Sequence, residues 1–420
     1  MRSYRIDEIE QGKKQNRMKV IVLGAGVIGV TSAWYLAQAG HEVTVVERQP
    51  GPGLETSFAN GGQISVSHAE PWANPRAPWQ ILKWLLRDDA PLLFRPHADA
   101  AQWRWIMQFL RECLPTRTRA NTLAIFQLAQ ESRAALHALR AETGIAYDAQ
   151  TRGILRIYTD RREFDAACTN TELLRSHGCV LDIKSAEECV ALEPALRDAT
   201  LPLAGGIHAP QDESGDACRF TQALAGLCAQ RGVAFHYDTH VEALEAQAGC
   251  VSGVRIVNTA GQQGTLRADV YVVALGSYSP LLRGLGARLL VYPVKGYSVT
   301  LPASQGTPHL SLTDEAHKIV ISRLGERLRV AGTAELAGHD PTLNPLRCQA
   351  ILKRALELFP HAGDTAQAEF WAGLRPATPS NIPIIGKMKF ENIFLNTGHG
   401  TLGWTLACGS GKRLAEMVGG

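Results

Sequence analysis

The chain has 420 residues, 45% of them hydrophobic and 20% charged, and a net charge of +3. This length holds two or three folding units of about 100–200 residues each. The near-balanced charge carries no nucleic-acid footprint, and no apolar run reaches the ~18 residues needed to cross a bilayer. Nine cysteines without a CxxC pair fit free thiols in a reducing compartment better than disulfides or zinc. The expectation is a cytoplasmic protein with no structural metal.

Residues 1–17, MRSYRIDEIEQGKKQNR, carry charge but no apolar signal region and read as a flexible extension. From Met18 the chain becomes KVIVLGAGVIGVTSAWYLAQAGHEVTVVER. The β-branched run Val20–Val22 suits a buried parallel strand. Gly24, Gly26 and Gly29 then form GxGxxG, and Ala33, Leu36 and Ala37 keep helical spacing up to Gly40. A second strand closes on Glu47. One glycine permits the tight turn, the next admits a pyrophosphate to backbone N–H groups, and the third lets helix pack on strand. The helix N-terminus meets the anion with its positive end, and Glu47 stands where a carboxylate accepts ribose hydroxyls. Strand, glycines, helix and acid in register indicate dinucleotide binding, which serves FAD and NAD alike.

Three later segments select FAD. ETSFANGGQISVSH begins eight residues after Glu47 and is small from Ala59 to Gly62, so main chain can lie against a flat ligand. GVAFHYDTHVEALEAQAGCVSGVRI alternates as strands of a small sheet, and ADVYVVALGSYSPLL is a buried strand (Val270 to Leu275) ending on Gly276. In NIFLNTGHGTLGWTLACGSGKRLAEMV a strand ends in Gly398-His399-Gly400 and a helix starts near Thr401–Trp404. That helix N-terminus can hold negative charge on a flavin N1/C2=O edge.

One further stretch, WAGLRPATPSNIPIIGK, sets Arg375 among glycines, prolines and apolar residues with no acid nearby in sequence. A guanidinium keeps its charge, and burying it unpartnered costs several kcal/mol. Arg375 therefore needs an anion, either a ligand or a remote acidic side chain. Five of the eight tryptophans (72, 79, 84, 103 and 105) crowd PWANPRAPWQILKWLLRDDAPLLF and WRWIMQFL. Trp beside basic residues suits a lipid headgroup layer or packing on neighbouring structure, and both readings stay open.

These segments, with PQDESGDACRFT, YPVKGYSVTL and LRVAGTAE, resemble the FAD-dependent D-amino-acid dehydrogenase family within the D-amino-acid oxidase and glycine oxidase group. The resemblance runs from about Met18 to the C-terminus. It implies an α/β fold (α+β overall), in which a Rossmann-like FAD-binding domain is interleaved with a substrate domain on a mixed or antiparallel sheet. The expected division is 18–95, 205–285 and 372–420 for FAD, and 96–204 and 286–371 for substrate. It also implies oxidative deamination of a D-amino acid to a 2-oxo acid and ammonia, with noncovalent FAD and a quinone or respiratory acceptor. Enzyme alternatives are a glycine or sarcosine oxidase or a D-hydroxyproline dehydrogenase; a flavin-binding regulatory protein is the non-enzyme one. Peripheral contact with the inner face of a membrane belongs to the same expectation.

The cofactor-contacting set expected is Gly24, Gly26, Val27, Ile28, Gly29, Glu47, Arg48, Ser57, Asn60, Gly61, Gly62, Gln63, Ile64, Val241, Ala274, Gly276, Gly373, Gly398, Gly400, Thr401, Leu402 and Gly403. In the family the GLRP arginine looks like the carboxylate clamp, which assigns Arg375 the substrate's acid group. Tyr297 is a candidate hydroxyl donor to substrate, weighed against an ordinary strand aromatic. His68 either lines the pocket or is solvated. His399 reads as a loop brace, because hydride transfer from a neutral amine needs alignment and no dedicated acid–base pair. KIVIS (Lys318 to Ser322), where related oxidases tend to have a tyrosine, suggests an apolar pocket. Relatives with covalent flavin have a cysteine near the GLRP position, and residues 371–380 here have none.

Overall fold

A computed structural model of the chain describes residues 17–84, 92–96, 98–285 and 289–419. Residues 1–16 of the expected N-terminal extension, and 85–91 of the Trp-rich segment, lie outside the described residues.

A six-stranded sheet runs in the order 384–387, 393–397, 270–273, 19–23, 42–46, 234–236, and every neighbouring pair is parallel except the edge pair 384–387/393–397. Period-2 alternation explains how both faces are covered. From the central strand Lys19–Leu23, Val20 and Val22 enter one core with the helices Val27–Gln38, Ala217–Gln230 and Gly403–Gly419. Ile21 and Leu23 enter another with Leu244, Val251 and Val254 of a three-stranded antiparallel sheet spanning 239–266. This is the parallel α/β unit and the small alternating sheet expected above.

The second body is a nine-stranded mixed sheet, ordered 369–377, 292–302, 327–336, 319–324, 311–314, 154–158, 205–209, 182–184, with 92–94 pairing on 327–336. Along Tyr292–Pro302, Tyr297, Val299 and Leu301 pack against the helix Pro345–Leu358, whereas Tyr292 and Val294 face the helix Ala100–Glu112. Gly296 lies on the second of these faces. The short strand Gln63–Ile64 pairs with Glu213–Ser214 and lays the segment after Glu55 across the large sheet. The strands 205–209 and 369–377 belong to this sheet, inside or across segments that the sequence reading gives to the FAD unit.

Asp314 is buried in the large sheet and accepts two bonds from Arg354, at 2.6 and 3.2 Å. Burial opposes its ionisation, but the bonds from His317 and Arg354 outweigh this and hold its carboxyl below the usual range. Asp314→Asn should lower stability at pH 7 by about 1.5–3 kcal/mol, because it leaves the buried Arg354 guanidinium with Glu357 as its remaining counter-charge. The contribution is present above the unfolded carboxylate value of about 3.9. It is lost as pH falls through the lower folded value, so the gap from wild type should narrow in acid. Urea titrations at pH 7 and pH 3.5 measure both.

Candidate active site

The sheet strand Lys19–Leu23 ends at a turn where Gly24 adopts φ +104, and a Cβ there would lie 2.7 Å from the Ala274 carbonyl oxygen. Gly26 begins the helix with no side-chain cap, although the Val27 N–H is taken by Ser57 Oγ at 3.1 Å. The helix end is thus left largely free for an anion. A Cβ on Gly29 would sit 1.9 Å from the Gly24 carbonyl oxygen, so this glycine packs helix on turn and lies behind the wall. Glu47 accepts the N–H groups of Ala25 and Gln49, at 2.7 and 2.9 Å. Burial raises its pKa despite those two amides. Arg48 forks onto Glu55 at 2.6–2.8 Å and lies 3.9 Å over the Tyr278 ring.

A single cavity of about 1220 Å³ starts at this turn. Its wall includes Gly24, Gly26, Val27, Ile28, Glu47, Arg48, Ser57, Val241, Ala274 and Gly276, then Asn60, Gly61, Gly62 and Gln63. The second group is fixed on the large sheet. Arg329 donates to the Asn60 carbonyl at 3.2 Å, Ser322 to the Gly61 carbonyl at 2.7 Å, and the Gln63 amide to Ser311 Oγ at 3.0 Å. Ile64 departs from the expectation: alternation turns its side chain into the helix-side core, away from the wall.

At the other end Gly373, Gly400, Thr401, Leu402 and Gly403 complete the wall. Gly398 supports this end from behind, with φ +83 and no room for a Cβ beside Thr378 Cγ2 at 2.6 Å. A short 3-10 turn, Gly400–Leu402, runs into the helix Gly403–Gly419. His399 lies buried in the wall, its Nε2 2.9 Å from Ser410 Oγ, and its Nδ1 has no partner among the described residues. Burial pushes its pKa down to about 3, so the ring is neutral and braces the turn.

Arg375 projects from strand Glu369–Ala377 on the same face as Gly373 and Trp371. Its guanidinium lies over Gly296 of the neighbouring strand, where a Cβ would come within 2.2 Å of Cζ. Nη1 donates to the Thr333 carbonyl at 2.7 Å and Nη2 to the Gly332 carbonyl at 3.4 Å. No acidic side chain pairs with it among the described residues. Burial, and secondarily the charge of Arg347, pull the guanidinium down to about 10, which leaves it charged at neutral pH. Trp371, which the sequence reading did not single out, leans over Gly373 and meets Phe58 with ring centroids 6.1 Å apart.

Tyr297 and His68 each take one of their two expected places, and the apolar reading of KIVIS changes. Tyr297 borders the cavity, but its ring belongs to the core on the opposite sheet face and its hydroxyl donates to Glu335 at 2.6 Å. It has no free hydroxyl for substrate; strand parity decides this. His68 lies in the wall, beside Glu70, Arg156, Glu315 and Lys318. Burial lowers its pKa against the opposing charge of Glu315. Lys318 pairs with Glu315 at 2.6 Å, so the KIVIS hairpin contributes charge as well as Val320, and this lobe is polar. Ile81, Leu92 and Phe109 also line the cavity, together with Gln80, Thr118 and Arg119.

One cavity thereby joins a dinucleotide cradle to an anion site. Residues 19–417 match the FAD dependent oxidoreductase family, and the chain belongs to it. It is 55% identical over 406 residues to a D-amino acid dehydrogenase of Dechloromonas aromatica (strain RCB), covering 96% of this chain and 97% of that one. It is 54% identical over 407 residues to a D-amino acid dehydrogenase of Paramagnetospirillum magneticum (strain ATCC 700264 / AMB-1), covering 96% and 95%. The solved glycine oxidase from Geobacillus kaustophilus is similar with a TM-score of 0.72 at 25% identity, over 96% of this chain and 94% of that one. The cofactor is FAD. The glycine turn, the uncapped helix and the buried His399 Nδ1, without a partner among the described residues, suit a large polar ligand on structural grounds alone.

Glu47→Ala should weaken FAD retention by about tenfold to a hundredfold, the loss of one or two charge-assisted hydrogen bonds. Fluorescence of flavin released on dialysis measures it.

Proposed function

We propose that this chain is an FAD-dependent dehydrogenase of D-amino acids, converting them to 2-oxo acids and ammonia and passing electrons to a quinone or another respiratory acceptor. The observation that carries this reading is Arg375, a charged guanidinium whose partners among the described residues are neutral carbonyls, in the cavity that contains the cradle. Such a group keeps its charge for a ligand and grips a carboxylate as a planar fork. Trp371 lines the cavity beside Arg375 and is backed by Phe58. FAD, when bound, would supply the hydride acceptor; Arg375 would supply alignment by pinning the acid group. The neutral His399, held by Ser410, and the occupied hydroxyl of Tyr297 give neither residue a role as proton acceptor. The D configuration is taken from the names of the relatives.

No cysteine lines the cavity among the described residues, and Cys408 is buried in the last helix, which supports noncovalent flavin. We assign the FAD unit to the six-stranded sheet with its helices and small sheet, and the substrate unit to the nine-stranded sheet. The second FAD segment then begins after Ala209 and the third after Ala377.

The acceptor side of the reading rests on an exposed face. Trp105 packs against Phe109 and Tyr292, whereas Trp79 and Met107 are 71% and 67% exposed, next to exposed Arg76, Arg104 and Arg111. No helix among the described residues is long and apolar enough to cross a membrane. This basic, apolar face is suited to a headgroup layer, and the part of the cavity wall formed by Ile81 and Phe109 belongs to the same segments.

Arg375→Ala should raise KM for D-amino acids by about 2–5 kcal/mol of binding. Gly296→Ala, which displaces the guanidinium without removing it, should do likewise. An anaerobic screen of flavin bleaching over D- and L-amino acids, glycine, sarcosine and D-hydroxyproline tests the reading; bleaching confined to glycine or sarcosine would overturn it. Trp79→Ala with Met107→Ala should reduce co-flotation with anionic vesicles while activity with a water-soluble acceptor is retained. Equal flotation would exclude the membrane face.

A further inference from the structure

Thr333 brings together three separate observations. It has φ 55, a left-handed conformation that is an outlier for a β-branched residue. Its Oγ1 is buried without a hydrogen-bond partner among the described residues. The residue also borders the cavity and gives its carbonyl to Arg375. The sheet register explains the conformation. Pairing is Lys295 with Glu335 and Tyr297 with Gly332, so Thr333 and Ala334 together oppose Gly296 in a bulge. A bulge re-aims its first residue out of the ladder. Here Thr333 borders the cavity, and its carbonyl meets the Arg375 guanidinium that covers Gly296.

We propose that Thr333 Oγ1 is a second donor to the substrate's acid group, beside Arg375. This inference rests on the reading of Arg375 as the carboxylate clamp. Arg375 spends donors on two carbonyls, and a carboxylate accepts at about four lone-pair positions, so a neighbouring hydroxyl adds to the grip. Thr333 is part-exposed while its Oγ1 is not accessible; its accessible surface belongs to its other atoms. One χ1 step exchanges hydroxyl and methyl between staggered positions, and an anion at Arg375 favours the rotamer that donates to it. Backbone strain and an unspent donor at a single position next to a functional arginine are the pattern expected of a ligand-binding residue.

The test uses the FAD-loaded enzyme and a simple carboxylate, propionate, titrated by its perturbation of the flavin absorbance. Thr333→Val, which keeps the branched shape, should weaken propionate binding about tenfold, equivalent to 1.4 kcal/mol, and raise KM with kcat little changed. Thr333→Ser should stay within about twofold of wild type. Wild-type affinity in Thr333→Val, or an equal loss in Thr333→Ser, overturns the inference. Arg375→Ala separates the two readings. If it loses propionate binding while Thr333→Val does not, only the threonine assignment falls. If it too binds propionate normally, the arginine clamp falls, and this inference with it.

Discussion

Arg375 is held by two neutral carbonyls where a buried arginine would ordinarily meet an acid. An acidic partner would have compensated the charge and left little for a ligand. Carbonyls fix the guanidinium plane and leave its charge in place. The arrangement needs three adjacent strands. One supplies the arginine, the next supplies Gly296 as open floor, and the third turns the Gly332 and Thr333 carbonyls towards it. A side chain on the middle strand, or a regular ladder on the third, would remove the seat.

The rest of the molecule serves this geometry. The helix Pro345–Leu358 covers the back of the large sheet, and a buried set of Lys295, Tyr297 and Glu335 fills the space behind Arg375. With that face packed, only the front remains for ligand. The loop from Asn60 to Gln63 is bonded down on the same front through Arg329, Ser322 and Ser311. Cradle and sheet therefore share one wall.

Local signals were legible in the sequence, and those that depend on strand pairing were not. The turn Gly24–Gly29 and Glu47 lie within one βαβ stretch, where spacing alone sets geometry. Arg375 was conspicuous because its neighbours offer no counter-charge. Tyr297 shows the limit, since its partner Glu335 and its sheet face follow from parity across non-local strands. Gly398 and Ile64 sit one layer behind the wall for the same reason. The left-handed Thr333 leaves no trace in composition, because a bulge arises from register between two strands. The apolar residues after Lys318 mask it in the sequence, while the hairpin turn carries it to the cavity.

The cofactor cradle draws on both ends of the chain. Thr31 of the first helix bonds to the Ala407 carbonyl of the last at 3.1 Å, and the strand Lys19–Leu23 pairs with 270–273, itself paired with 393–397. A nascent chain therefore exposes its glycine turn long before the opposing wall has been synthesised. Contacts of such sequence separation close late. Flavin uptake must then follow completion of the polypeptide, and a chain cut short before the final helix would leave the ribosome without a place to keep its coenzyme.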